Sequence, residues 1–293
     1  MIEEKSWTSR LYNVLVITFL SALALLCLAP MVHLLAVSLS GRAVSMGGFV
    51  TFWPINFTLQ NYVKVLTANA FLRAFFISIQ RTILGTALNI SLIVLMAYPL
   101  SKTEQEFKGR NIFMWLLIFA MIFYGGLIPT FLVVRSLGMI DKLSALILPE
   151  AVQIWSIIMM MNFFRDIPRE LEEAAVIDGA SHWQILTRVF LPLCTPALAT
   201  LALFAAVGHW NSWFDGAIFN MHAENYPLQT FLRTVVIQLD LTRFAINPND
   251  LGELSDRSIR AAQIFVTIVP ILLVYPFLQR YFIAGIKLGA IKG

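Results

Sequence analysis

Six long apolar stretches run along the chain, and polar segments separate them. A helix needs roughly 20 apolar residues to cross the hydrocarbon core of a bilayer, and each stretch approaches that length. The pattern predicts an all-α polytopic membrane protein with about six transmembrane helices and both termini on one side. The predicted spans are residues 11–39, 82–101 with a start as early as Ala74, 112–134, 143–164, 189–214 and 261–279.

Composition agrees with this prediction and argues against several other classes. Of the 293 residues, 58% are hydrophobic and 13% are charged, whereas soluble domains average about 25% charged residues. The first stretch is too long for a signal-peptide core and lacks a small-residue cleavage site, so we expect a retained anchor. Cys27 and Cys194 lie in or beside apolar stretches, which argues against a metal cluster. A net charge of +4 without a basic tract does not suggest nucleic acid.

Charge alone leaves the orientation of the spans open. The face that would hold both termini and the loops 102–110 and 165–188 carries 11 of the 21 Lys and Arg residues, which is no bias. Loop 102–110 packs three cations into nine residues, and this density weakly indicates a cytoplasmic face. The longer loops 41–69 and 221–260 would then lie outside. Nothing in the sequence divides the chain into more than one domain.

The segment between the fourth and fifth spans is polar and has a helical pattern. Asp166 is a predicted N-cap, and Pro168 falls in the first turn, where its missing N–H costs little. Three glutamates follow, where negative charge meets the positive end of the helix dipole. They are Glu170, Glu172 and Glu173. Gly179 is predicted to end this helix.

A second short helix is predicted after the glycine. Ser181 and Gln184 have the spacing of a capping box, and Pro192 is expected to interrupt the helix as the fifth span begins. One face of the first helix carries small residues that would let another backbone approach closely. That face consists of Leu171, Ala174, Ala175 and Asp178. From periodicity alone, a docking element and a helix lying at the membrane interface fit equally well.

The same segment resembles the EAA loop of permease subunits of binding-protein-dependent ABC importers. The family pattern is EAA, three residues, Gly, nine residues and then I-x-L-P, and this chain keeps that spacing. The matching positions are Glu173, Ala174, Ala175, Gly179, Val189, Leu191 and Pro192. Val189 replaces isoleucine, which is a conservative departure. Residues 97–102, 137–141 and 285–293 are also similar to carbohydrate importer permeases, so the resemblance covers nearly the full chain.

Two details resemble particular branches of that family. The ending, residues 285–293, is similar to that of the maltose importer's smaller permease. The first outer loop, with Arg42-Ala43-Val44 and Trp53-Pro54, resembles the branch that includes the second permease of a bacterial alginate importer.

The resemblance implies the type I ABC importer (MetI-like) permease fold. It implies one transmembrane domain, residues 1–293, with the core fold over about 74–285. The implied function is to move an oligosaccharide, including an acidic one such as alginate, from a periplasmic or extracellular solute-binding protein into the cytoplasm. Implied partners are a second homologous permease, an ATPase dimer, the binding protein and membrane lipid. The implied location is the inner membrane, with both termini cytoplasmic.

In that family the loop is cytoplasmic, and its first helix docks in a cleft of the ATPase subunit. The resemblance thus places the coupling loop at residues 165–192, with Glu173 as the docking acid, Gly179 as the turn and Asp178 as a helper. Ala174, Ala175, Leu191 and Pro192 complete the expected surface. The cytoplasmic tail, residues 285–293, would contact the ATPase through Lys287, Gly289, Lys292 and Gly293.

The sequence carries no motif for catalysis by this chain. It lacks the GxxxxGK[ST] loop that binds ATP phosphates, so we expect ATP and Mg to be bound by the partner and no cofactor here. HExxH, GxSxG and paired-cysteine metal spacings are also missing. Two alternatives remain open on the residues alone: an ion-coupled secondary transporter, which should show inverted repeats, and a membrane scaffold that docks a cytosolic protein.

A substrate path needs aromatic and polar side chains that face a cavity. The candidates are Trp210, Asn211, Trp213 and Asp215 at the end of the fifth span, with Glu150 and Gln153 in the fourth. An aromatic belt at the membrane surface is the commoner use of such tryptophans, and a solvated position near the surface fits the two carboxylates equally well. An acidic sugar would be repelled by them and would fit Arg81, Arg135 or Lys142 better.

Overall fold

The computed structural model describes residues 7–238 and 257–290, with side chains at all of them except 8, 236–238 and 275–290. The described residues form α-helices joined by short 3₁₀ and π segments and contain no strand, which confirms the all-α prediction. The helices are α1 (Trp7–Ser38), α2 (Arg42–Met46), α3 (Gln60–Thr67), α4 (Asn69–Ser101), α5 (Arg110–Ile122), α6 (Leu127–Ser136), α7 (Leu143–Ile147), α8 (Ile154–Arg165), α9 (Arg169–Ile177), α10 (His182–Ile185), α11 (Leu191–Leu193), α12 (Thr195–Asn211), α13 (Phe214–Phe219), α14 (Leu228–Leu232) and α15 (Arg257–Ala290).

Three of the predicted spans are single helices and three are bent. Ser9–Ser38, Asn69–Ser101 and Arg257–Val274 are each long and apolar enough to cross a membrane alone. The other three are helix pairs that bend by 113° between α5 and α6, by 51° before α8 and by 83° before α12. The predicted number of six spans holds if each bent pair is one span.

The breaks have local causes. Gly126 precedes α6 with φ 90°, a conformation that an ordinary helix cannot continue through. Pro196 lies in the first turn of α12, where its missing N–H favours a new helix start at Thr195. Pro192 lies inside α11, so the predicted interruption at that proline is wrong, and the break falls at Cys194 instead.

The chain folds into two compact units, Met1–Asn69 with Val235–Ile268 and Ala70–Thr234 with Val269–Gly293. In the first unit, polar contacts join α3 to the end of α1. The Asn61 amide donates to the carbonyl oxygens of Ser38 at 2.8 Å and Ser40 at 3.0 Å. Its oxygen accepts from the Ser258 hydroxyl of α15 at 3.3 Å. This buried amide thus satisfies its hydrogen bonds within the unit. The single-domain assignment stays a prediction.

The second unit has a continuous apolar core. Side chains of α4, α5, α8, α10, α12 and the π segment Leu186–Phe190 contribute to it. Its most buried members include Ile93, Ala97, Ile157, Met160, Phe164, Ile185, Phe190 and Leu201. This core fixes the end of α4 beside the polar segment that follows α8. The α9 segment and the other candidate functional residues described below lie around this core.

Candidate functional site

Helix α9 begins at Arg169, later than the N-cap prediction placed it. Asp166 caps the C-terminus of α8, where its N–H donates to the carbonyl of Asn162 at 3.1 Å, so its predicted N-cap role is wrong. Pro168 takes an extended conformation (φ −55°, ψ 133°) immediately before α9. Glu170 and Glu172 then occupy the first turn as predicted, where carboxylates stabilise the N-terminal end of the dipole.

Gly179 ends the helix through a left-handed residue, as predicted. Its φ is 76°, and the Ala180 N–H donates to the carbonyl of Ala175 at 2.9 Å while the Gly179 N–H donates to that of Val176 at 3.0 Å. This pair of bonds is the Schellman motif, which satisfies carbonyls at the helix C-terminus. A Cβ at Gly179 would meet no atom within 4 Å. The need for glycine here is therefore conformational and not steric.

The capping box after the glycine is confirmed. The Ser181 hydroxyl accepts from the Gln184 N–H at 3.4 Å, and the Gln184 side-chain oxygen accepts from the Ser181 N–H at 2.8 Å. Helix α10 then passes into the π segment Leu186–Phe190 and into α11 without a gap. Ala175, Ala180, Val189 and Leu191 pack against the apolar core, which holds the whole segment in place.

The outer face of α9 is exposed and partly apolar. Ile177 is 85% exposed, Val176 54% and Leu171 44%. Glu173, Ala174 and Asp178 are exposed as well, whereas Ala175 is half-buried against the core and so leaves the predicted small-residue face. We call the exposed set Leu171, Glu173, Ala174, Val176, Ile177 and Asp178 the α9 surface. An exposed apolar patch rimmed by charge is typical of a protein interaction site.

A cavity of about 840 Å³ opens beside α9. The ends of α4 and α8, the loop between α4 and α5, and α9 line it with charged and aromatic side chains. Among them, Lys102 pairs with Glu172, and the lysine ammonium lies 4.4 Å from the Tyr98 ring centroid and 4.5 Å from that of Phe190. The ion pair thus joins α4 to α9.

A second ion pair lies inside the unit, near the middle of α4. Arg81 is completely buried and pairs with Asp215, with one contact of 3.2 Å from Nη1 to Oδ1. Asp215 Oδ1 also accepts from the Ser212 hydroxyl at 2.8 Å and the Gly216 N–H at 2.9 Å. A charge in a membrane span needs such partners, because its alternative surroundings are hydrocarbon.

Asn89 extends this polar interior further along α4. Its amide NH₂ donates to the carbonyls of Glu150 and Ala151, each at 2.9 Å. Its oxygen therefore faces His209, and the His209 Nε2–H donates to it across 2.6 Å. A Cβ added at Gly85 would collide with the His209 ring, so α4 and α12 approach closely there. We call Arg81, Asn89, His209, Ser212 and Asp215 the Arg81 cluster.

The structure separates the candidate path residues into two groups. Trp210 is buried against Phe75 with ring centroids 5.8 Å apart, and Asp215 is paired with Arg81. Trp213 is half-buried beneath the Arg233 guanidinium at 3.5 Å. Glu150 and Asn211 are exposed in this chain, and Gln153 is half-buried. The role of these six residues in a substrate path remains a prediction.

The tail candidates carry little structural information. Lys287 and Gly289 lie within α15, but their side chains are outside the described set. Lys292 and Gly293 lie outside the described residues. The tail contact with an ATPase therefore stays a prediction.

Comparison with known proteins decides the family. No family model matches this sequence. It is 40% identical over 284 residues to protein LplC of Bacillus subtilis, which covers 97% of this chain and 96% of that protein. It is 37% identical over 291 residues to the polygalacturonan/rhamnogalacturonan transport system permease protein YtcP of Bacillus subtilis, covering 97% and 99%. This chain belongs to the sugar permeases of ABC importers.

The structural comparison agrees with this assignment. A chain in the crystal structure of a bacterial ABC transporter involved in the import of the acidic polysaccharide alginate matches with a TM-score of 0.86 and 32% identity, covering 94% of this chain and 98% of that one. The predicted family and the MetI-like permease fold are confirmed. The chain is thus a permease of the ABC sugar-transport family with membrane-spanning helices.

Sequence reasoning missed both ion pairs, although it singled out three of their four residues. Lys102 stood out only as a loop cation and within the similar run 97–102, and Asn89 did not stand out at all. The available signal was the presence of Arg81 and Asp215 in apolar surroundings, since an intramembrane charge usually has an opposite charge as partner. No comparable rule would have paired Lys102 with Glu172, because both lie in polar segments.

Proposed function

We propose that this permease is one of two homologous subunits of an importer driven by a separate ATPase dimer, which docks on the α9 surface. The observation that carries this proposal is an exposed helix, with Ile177 85% exposed, fixed at its C-terminus by Gly179 in a left-handed conformation. A rigid, partly apolar helix is suited to transmit a push from a partner protein. ATP and Mg bind the partner, and this chain binds no cofactor.

Docking on α9 also sets the orientation that we propose. The loop with α9, the loop between α4 and α5, and both termini lie on the cytoplasmic side, while Arg135 and Lys142 lie on the outer side. Single cysteines at Glu170 and Arg135, both exposed, test this in a background without Cys27 and Cys194. We expect an impermeant thiol reagent to label the Arg135 position from outside intact cells and the Glu170 position only after lysis. The reverse pattern would contradict the orientation.

The proposed cargo is an acidic oligosaccharide delivered by a soluble binding protein. Support comes from the names of two similar proteins, one for polygalacturonan and rhamnogalacturonan transport and one for alginate import. Of the two acids of the predicted path, Asp215 does not oppose this because it is paired with Arg81, and Glu150 is exposed. Arg135 and Lys142 are exposed cations on the outer side in the proposed orientation, where they would attract an acidic sugar. Trp213, Asn211, Glu150 and Gln153 remain candidates for the path.

Reconstituted transport tests the function. The permease, its partner permease and the ATPase are placed in proteoliposomes with the binding protein outside and ATP inside. We expect uptake of an oligogalacturonide that requires ATP, with a neutral oligosaccharide of equal length taken up far more slowly. Uptake driven by an ion gradient without ATP would overturn the importer proposal, and equal uptake of both sugars would overturn the acidic cargo.

The docking surface has its own test. Glu173→Lys reverses an exposed charge of the α9 surface, and Glu170→Lys reverses an exposed glutamate of the same helix outside that surface. We expect Glu173→Lys to lose co-purification of the ATPase and Glu170→Lys to keep it. Retention of the ATPase by both variants would contradict docking at this surface.

A further inference from the structure

Two adjacent glutamates of α9 face different surroundings. Glu173 is exposed on the α9 surface. Glu172 is turned toward the end of α4, where its carboxylate pairs with Lys102, and the two side chains are only 21% and 10% exposed. One glutamate is therefore available to a partner protein, and its neighbour is engaged by Lys102.

Aromatic rings surround the lysine ammonium. Tyr98 and Phe190 each present a ring to it, and those two rings meet edge to face with centroids 5.3 Å apart. Phe164 packs against Phe190 at 5.4 Å. A ring face attracts a cation, more strongly where water is excluded. Lys102 thus holds contacts with α4, with the segment after α10 and with α9 at the same time.

The end of α4 is itself firmly fixed. Its Leu100 carbonyl accepts from Arg110 Nε at 2.8 Å and from Arg165 Nη2 at 3.2 Å. From that end, α4 continues unbroken back to Asn69, and it carries Arg81 and Asn89 of the Arg81 cluster. A displacement applied at Lys102, which directly follows α4, therefore acts on one continuous helix that reaches the polar interior.

We infer that the Lys102–Glu172 ion pair is the link through which movement of α9 reaches α4, so that Lys102 and Glu172 are positioning residues for transport. This rests on the proposed function, in which an ATPase moves α9. Glu173 would receive the movement, and Glu172 would pass it on. Without the link, the ATPase would still dock and hydrolyse ATP, but α4 would follow α9 only loosely.

The experiment measures sugar imported per ATP hydrolysed in proteoliposomes that contain the full importer. The main variant is Lys102→Met with Glu172→Met, since replacing a buried ion pair by apolar side chains of similar volume is usually tolerated by the fold. We expect near-normal assembly and ATP hydrolysis, with the ratio reduced about tenfold, a factor typical of lost coupling between sites. A wild-type ratio in this variant would overturn the link.

Charge reversals sharpen the result. Lys102→Glu and Glu172→Lys should each lower the ratio, and the combined exchange should restore it to within about threefold, because opposite charges face each other again. If the combined exchange does not restore the ratio of sugar imported per ATP hydrolysed, Lys102 acts only in packing. That result would overturn the link. Lys108→Glu, an exposed charge in the same loop, should leave the ratio unchanged.

Failure of the proposed function would look different. If the wild-type chain never binds an ATPase, docking and link are both overturned. If the wild type imports sugar with ATP and the Met variant keeps the same ratio, only the link is overturned.

Discussion

Two ion pairs, one within α4 and one at the residue that directly follows it, have the same chemistry and different surroundings. Arg81 is fully buried, and its partner Asp215 accepts further hydrogen bonds from Ser212 and Gly216. Lys102 and Glu172 are partly exposed and border a cavity of about 840 Å³. Arg81 and Lys102 are separated by 21 positions, about 30 Å along a helix. We conclude that the first pair stabilises the interior of the unit, while the second joins two elements at the border of the cavity.

The largest effect is expected from breaking the closed pair. Arg81→Met leaves the Asp215 carboxylate buried without its cation, which costs about 3–5 kcal/mol. We expect a strongly lowered Tm in detergent and poor accumulation in the membrane. Arg73→Met is the matched control, because Arg73 pairs with Glu224 where both side chains are more than half exposed, and such pairs contribute about 0–1 kcal/mol. Equal Tm values for the two variants would contradict the distinction between buried and solvated pairs.

A smaller loss is expected further along the same cluster. Asn89→Leu removes the donor to the carbonyls of Glu150 and Ala151 and the acceptor for His209. Leaving a buried polar group unsatisfied costs about 1–3 kcal/mol. We expect Tm to fall, but less than for Arg81→Met, as measured by thermal unfolding in the same detergent. Asn89→Asp keeps the acceptor and loses both donors. We expect its Tm to lie between the Tm of Asn89→Leu and that of Arg81→Met.

Substitutions at Gly179, which ends α9, are expected to act through the backbone conformation of the turn and not through packing. Gly179→Val forces a β-branched side chain into φ 76°, a conformation that costs L-residues about 1–2 kcal/mol. We expect weaker co-purification of the ATPase, with a fall in Tm of a few degrees at most. Gly179→Asn is the control, since asparagine tolerates the left-handed region and a Cβ here meets nothing within 4 Å. If the Asn variant loses the ATPase as fully as the Val variant, conformation is not the reason for glycine.

The smallest effect concerns a carboxylate in a loop at the other end of the spans. Burial acts to raise the pKa of Asp141, but hydrogen bonds from the N–H and ring of His222, from Asn225 and from the Met221 N–H outweigh it and hold that pKa below its ordinary value. The stabilisation is present above the ordinary aspartate pKa of about 3.9 and is lost as pH falls below it. We expect Tm of the wild type to decline between about pH 4 and 3 more than that of Asp141→Asn. Parallel curves would contradict this role.

The sequence supports the family and the span number far better than the details of the spans. Apolar length alone located the three single helices and the three bent helix pairs, because crossing a bilayer imposes that length. The bends remained hidden, since the 113° break depends on Gly126 adopting φ 90° in the folded chain. The Gly125-Gly126 pair was the visible signal. Asp166 was misassigned because an Asp two residues before a proline fits both the end of α8 and the start of α9.

In the candidate site too, some features could be predicted from the sequence and others could not. Spacing from Glu173 to Pro192 identified the α9 loop, and local rules predicted the Gly179 turn and the Ser181 capping box correctly. Contacts between distant residues were beyond such rules. Arg81 and Asp215 are 134 positions apart, and Lys102 and Glu172 are 70 apart. Only the fold brings them together.

The most direct test of coupled movement is a distance measured in the working importer. Spin labels at Gln105, just beyond α4, and at Glu170 on α9 are both exposed, and they report whether these elements move together once Cys27 and Cys194 are replaced. We predict that the distance changes by less than about 2 Å between the ATP-free and ATP-trapped states of the wild type, which is within ordinary helix adjustment. A change of about 5 Å or more in the wild type, on the scale of a helical turn, would contradict the claim that α9 and α4 move as one.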